Sequence, residues 1–151
     1  MATVIIVRGL PGVGKTTWIE KNFGEEEPTI CSADHYFMLG GTYQYDHSKI
    51  AEAQEECFNT FFDALEADTP FIIVNNVFHR LWNFTPYMKV ARRFKYDCHI
   101  AHIYTRDPWE SCLRNTHGVP EHKFKWLLEA WEGAPQGWGE KKYRSNQAWR
   151  P

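Results

Sequence analysis

The sequence has no apolar run approaching the roughly 20 residues of a membrane-spanning helix. The stretch from Met1 to Val7 is too short for a secretory signal, and Arg8 and Gly9 close it. It has only four cysteines, Cys31, Cys57, Cys98 and Cys112, with no CxxC pair among them. That excludes a disulfide scaffold and a thiolate zinc site, and the thiols are expected to be reduced, mostly buried and cytoplasmic. No charge of one sign dominates, because the net charge is −2. The chain as a whole therefore offers no basic surface for duplex nucleic acid, although a local basic groove stays open. Repeats and low-complexity tracts are absent, as is the Thr/Asn-Lys-x-Asp string that reads guanine.

What is present is ordinary globular composition, with 43% hydrophobic and 24% charged residues in 151, enough for one sizeable core. Thr3 to Val7 is a β-branched run suited to a strand buried on both faces. A Gly-rich turn follows, then a helix from Lys15 to Asn22. Further strands are expected at Pro28 to Cys31, Phe71 to Val74 and Cys98 to Tyr104. Helices are expected from about Lys49 to Ala67 with Ser48 as cap, from the Thr85-Pro86 pair to Phe94, from Asp107-Pro108, and from Pro120 to Glu132. Strands alternating with helices imply right-handed crossovers. The fold class is expected to be three-layer α/β with a parallel sheet. It is expected to occupy residues 1–132, with 133–151 as an extended tail packed on the domain or on a partner.

The turn carries the chemistry. Gly9-Leu10-Pro11-Gly12-Val13-Gly14-Lys15-Thr16 fits G-x-x-x-x-G-K-[ST] at every position, between a strand and a helix as the motif requires. Glycines let successive backbone N–H groups turn toward phosphate oxygens, and the new helix adds its positive end. The site is expected to hold ATP through Gly9, Pro11, Gly12, Val13, Gly14, Lys15, Thr16 and Thr17. Lys15 reaches the β and γ phosphates, and the Thr16 hydroxyl ligates Mg2+. Small size and few strands suit a nucleotide-kinase-like domain better than a ring ATPase. Asp34 ends the second strand region, where open α/β sheets bind ligands, and could accept the proton of an attacking hydroxyl.

The strings RGLPGVGKTTW, SADHYF, YQYDHSKIAEAQ and RNTHGVP together resemble the polynucleotide-kinase-like P-loop kinases, which include the phage-type 5′-hydroxyl polynucleotide kinases. The resemblance spans about Thr3 to Glu132. It implies that Asp34 is the general base and that a lid after the fourth strand brings Arg114 to the phosphates, helped by His117 or Arg106. It also exposes three departures. Asn75 stands where the family usually has Asp, Phe37 where the phage-type enzyme has an acceptor-binding Arg, and His117 where a second lid Arg is found.

The expected activity is transfer of the γ-phosphoryl group of ATP to a hydroxyl, with a 5′-hydroxyl of a nucleotide or single-stranded nucleic acid as favoured acceptor. A small-molecule kinase and a nucleotide-binding interaction protein without turnover are the alternatives. Arg92, Arg93 and Lys95 with Phe94 and Tyr96 read first as cations complementing a helix end, and second as a single-strand nucleic-acid strip. The Lys141-Lys142-Tyr143-Arg144 run with Trp138 and Trp149 is the better candidate strip. His99 and His102 point to opposite faces of their strand and share no metal.

Overall fold

The computed structural model describes residues 2–38, 41–115 and 118–151. Five parallel strands form one sheet: β1 (Thr3–Arg8), β2 (Thr29–Cys31), β3 (Phe71–Asn75), β4 (Asp97–Ile103) and β5 (Glu140–Tyr143), in the order β2-β3-β1-β4-β5. The helices are α1 (Lys15–Phe23), α2 (Ile50–Glu66), α3 (Leu81–Arg93), α4 (Pro108–Arg114) and α5 (Glu121–Ala130). The strand order places β1 between β3 and β4. The chain steps to one side of β1 for β2 and β3, then to the other for β4 and β5. That switch opens a crevice at the carboxyl end of β1, where the Gly-rich turn lies.

Two cores sandwich the sheet. Val4 and Ile6 face the α2 and α3 layer, with Phe61, Leu65, Phe84 and Met88. Ile5 and Val7 face the α1 layer, with Trp18, Ile19, Phe23 and Tyr143. Alternation along β1 thus feeds both faces, and residues Val4 to Val7 are fully buried. No helix of the described residues is long and apolar enough to cross a membrane.

The local chemistry differs from expectation in three places. The approach to α2 is capped by Asp46, whose carboxylate accepts from Ser48 N and Oγ at 3.0 and 2.7 Å. Ser48 is therefore the donor there, and Asp46 the cap. Helix α3 begins at Leu81, not beside Thr85, because one local and one tertiary side chain close its first turn. Asn83 Oδ1 accepts from Arg80 N, and Glu132 Oε1 accepts from Leu81 N, each at 3.0 Å. Finally, the segment after Glu132 supplies edge strand β5. Trp138 from that segment packs on the α2–α3 core, whereas Trp149 packs on the α1 core. The two rings lie on opposite faces, and Tyr143 is fully buried, so these residues do not form one nucleic-acid strip.

Candidate functional site

The turn between β1 and α1 has the geometry of a phosphate cradle. Gly12 and Gly14 adopt φ of +80° and +101°, which side-chain-bearing residues rarely tolerate. A Cβ on Gly12 would fall 2.1 Å from Ser111 O and 2.9 Å from Asn115 N. The loop is therefore in backbone contact with the end of α4. A Cβ on Gly14 would fall 2.7 Å from Ser145 Cβ, so the turn after β5 closes the other flank. Gly9 N is tied to Val77 O at 3.2 Å. Pro11 is half-buried and Val13 is buried against the α1 core, which pins the middle of the loop.

Lys15 is the first residue of α1 and is half-buried, and Thr16 and Thr17 beside it are exposed. The Lys15 ammonium donates to Gly9 O at 2.9 Å and Leu10 O at 3.3 Å. Burial pulls it down to about 8, and the charge of Asp34 opposes that pull. The structure thus brings Lys15 and Asp34 into one electrostatic field, although they come from different strand ends.

Asp34 lies in a short 3-10 turn, Ala33–Phe37, that follows β2. Two residues without an expected role set its place. Ser32 Oγ accepts from Asp34 N at 3.2 Å, and buried Asn76 accepts from Ala33 N through Oδ1 at 2.9 Å. Tyr43 donates its hydroxyl to Asp34 Oδ1 at 3.2 Å. Burial, then the charge of Asp34, push the Tyr43 phenol up, so it remains a donor. The only sequence signals for Tyr43 and Asn76 are the place of Tyr43 in the YQYDHSKIAEAQ string and the position of Asn76 next to Asn75.

Arg114 ends α4, is exposed, and immediately precedes the Asn115 that abuts Gly12. Arg106 is also exposed, and His117 lies outside the described residues. Above Tyr45, Lys123 of α5 donates to the phenol oxygen at 3.0 Å, linking the α4–α5 region to the segment that holds Asp34. Phe37 is core, packed against Tyr36, Tyr43 and Tyr45. Asn75 Oδ1 is buried with no hydrogen-bond partner among the described residues. No group of three His, Cys, Asp or Glu side chains among the described residues could hold a metal.

Burial raises the Cys31 and Cys98 thiols to about 12 and about 11, which leaves them unreactive. His102, in register with Arg8, is held down at about 3 by burial and then by the charges of Arg8, Lys142 and Lys15. It stacks on Trp131 at 4.7 Å as a neutral ring, whereas His99 meets Trp149 on the opposite face.

The chain is similar to human NEDD4-binding protein 2, with 32% identity over 134 residues that cover 85% of this chain and 8% of that protein. It thus spans only a small part of the curated relatives it matches. Among solved structures, Kti12 of Chaetomium thermophilum, in complex with ADP-AlF3, superposes with a TM-score of 0.63 at 12% identity over 97% of this chain and 89% of that one. A gluconokinase of Sinorhizobium meliloti 1021 gives 0.61 at 14% identity over 96% and 83%. These likenesses establish the three-layer fold. A family described as an AAA domain matches residues 4–131. The chain belongs to this AAA-domain family.

Proposed function

We propose that the protein is an ATP-dependent phosphotransferase that moves the γ-phosphoryl group to a hydroxyl, with a 5′-hydroxyl of nucleic acid or a nucleotide as the favoured acceptor. The observation that carries this reading is the tight glycine turn that places Lys15 at the start of α1, with the Asp34 turn close enough for the carboxylate's charge to act on the Lys15 ammonium. A phosphate-binding cation and a tethered carboxylate in one field are what in-line transfer to an alcohol needs.

Bound magnesium–ATP supplies the transferable phosphoryl group. The backbone N–H groups from Gly14 to Thr17 and the Lys15 ammonium would hold the triphosphate oxygens, and Thr16 would present its hydroxyl to the metal. Asp34, steadied by Tyr43, takes the acceptor proton as the oxygen attacks. Arg114 offers its charge from the α4 side as negative charge spreads over the transferring oxygens. The four free thiols suit a cytoplasmic setting.

A small-molecule hydroxyl is the alternative acceptor, given the fold shared with a gluconokinase. Nucleotide-dependent binding without turnover is the second reading. It draws on Asn75, which places an uncharged group where the resembling kinases have a carboxylate, and on Phe37, which is committed to the core. The test is incubation with γ-labelled ATP and magnesium against 5′-hydroxyl oligonucleotides, nucleosides, sugar acids and no acceptor. Label on the oligonucleotide supports the favoured reading, and label on a sugar acid alone supports the alternative. Tight ATP binding with no labelled product supports the second reading.

A further inference from the structure

Charge is segregated along this chain in a way the phosphate site does not use. From Thr69 to Tyr96 there is no Asp or Glu, although the chain as a whole has 19. The same stretch holds Arg80, Lys89, Arg92, Arg93 and Lys95, so it is strongly basic within a chain of net charge −2. Helix α3 lies inside it. Its inner face is spent on the core through Phe84, Tyr87, Met88 and Ala91. Its outer face carries Trp82, Pro86, Lys89 and Arg93 along an open groove, with Arg92 and Lys95 exposed beside it.

Two features separate this face from an ordinary solvated helix. Lys89, Arg92, Arg93 and Lys95 form no ion pair among the described residues, although α2 beside α3 is rich in carboxylates. Trp82 is 71% exposed and meets no other ring among the described residues. Phe94 and Tyr96, which the sequence placed in the same strip, are turned into the core, so Trp82 is the stacking group instead.

We propose that the outer face of α3 binds single-stranded nucleic acid, with Trp82 stacking on a base and Lys89, Arg92, Arg93 and Lys95 meeting successive phosphates. The helix is about 20 Å long at 1.5 Å per residue, room for several nucleotides. Its first turn, with Trp82, lies at the carboxyl end of the sheet, the end that carries the Gly-rich turn. A strand on this face therefore runs from the site outward. An acidic peptide would satisfy the charges equally, but peptide anchors need a deep pocket. This groove is open, and an exposed indole needs only a base to cover it. The surface lies outside the phosphate site and stands whether or not phosphate is transferred.

The test uses the full chain and a fluorescently labelled 20-mer oligonucleotide without ATP, read by anisotropy over a salt series. K89E/R93E should weaken binding at least tenfold. It should also reduce the slope of log affinity against log salt by about 1.4, since each single-strand phosphate contact contributes about 0.7. Trp82→Ala should weaken binding about tenfold, and Trp82→Phe should retain most of it. All three variants change exposed side chains, and unchanged thermal melting confirms that they are folded. Transfer to a mononucleoside, if the parent shows it, should be unaffected in K89E/R93E, which separates this surface from the phosphate site. An unchanged affinity and salt slope in K89E/R93E overturns the proposal. So does tighter binding of a poly-glutamate peptide than of the oligonucleotide.

Discussion

The guanidinium of Arg8, the residue that leads into the Gly-rich turn, reaches past β4 to Glu140 of β5, Nη1 to Oε2 at 2.8 Å. Both side chains are buried, at 0% and 8% exposure. Arg8 also donates to Phe78 O and Glu132 O, each at 2.7 Å from Nη2, and lies 4.3 Å from the centre of the Trp131 ring. Burial lowers its affinity for the proton, and Glu140 opposes that. One cation thereby joins β1, the loop before α3, the end of α5 and the last strand.

Glu140→Ala leaves that cation buried without its carboxylate and should cost about 3 kcal/mol of folding stability. Removing residues 133–151 should do more, because β5 and Trp149 leave with Glu140. Urea denaturation of both variants checks this. A truncated chain as stable as the parent would show that 133–151 is an appendage.

Lys15→Ala should abolish turnover and weaken ATP binding while the domain stays folded. In the free protein the Lys15 ammonium sits at about 8, below the ordinary 10.5 for lysine. As pH rises through that value the free protein loses its charge, and a bound triphosphate draws the proton back. ATP binding should therefore take up a proton above this midpoint, and affinity should fall as pH rises. Calorimetry in two buffers of different ionisation enthalpy measures the uptake. In Lys15→Ala the uptake should vanish.

Tyr43→Phe removes the hydroxyl from Asp34 Oδ1 but keeps the ring against Phe37. It should lower kcat about tenfold with little change in ATP affinity, since only the orientation of the carboxylate is loosened. Steady-state kinetics separates the two. A rise in KM for ATP with unchanged kcat would place Tyr43 in nucleotide binding instead.

Asn75→Asp introduces a charge where Oδ1 already lacks a partner among the described residues. The free protein should melt at lower temperature, because a poorly solvated carboxylate has no counter-charge. Magnesium and ATP should restore more of the loss than they add to the parent. An equal drop with and without magnesium–ATP would place Asn75 outside the metal's reach.

The parts of this molecule that were legible in its sequence are those whose cause is local. The Gly9 to Thr16 turn, the all-apolar Val4 to Val7 and the Asp107-Pro108 cap need only neighbouring residues, and Asp107 does accept from Trp109 N at 3.0 Å. Strand β5 reads Glu-Lys-Lys-Tyr and carries no apolar run, since an edge strand needs only Tyr143 in the core. The start of α3 depends on Glu132, 51 residues from Leu81. Asn76 and Tyr43 act on the Asp34 turn through contacts that span 43 and 9 residues, which no periodicity records.

The most direct test of phosphoryl transfer is Asp34→Asn compared with the parent on one 5′-hydroxyl oligonucleotide, measuring ATP affinity and transferred label in the same preparation. Loss of the base should leave ATP affinity near that of the parent and lower transfer by about two to four orders of magnitude. Near-full transfer by Asp34→Asn would contradict the assignment of Asp34. No label from the parent on any acceptor, beside tight ATP binding, would contradict the kinase itself.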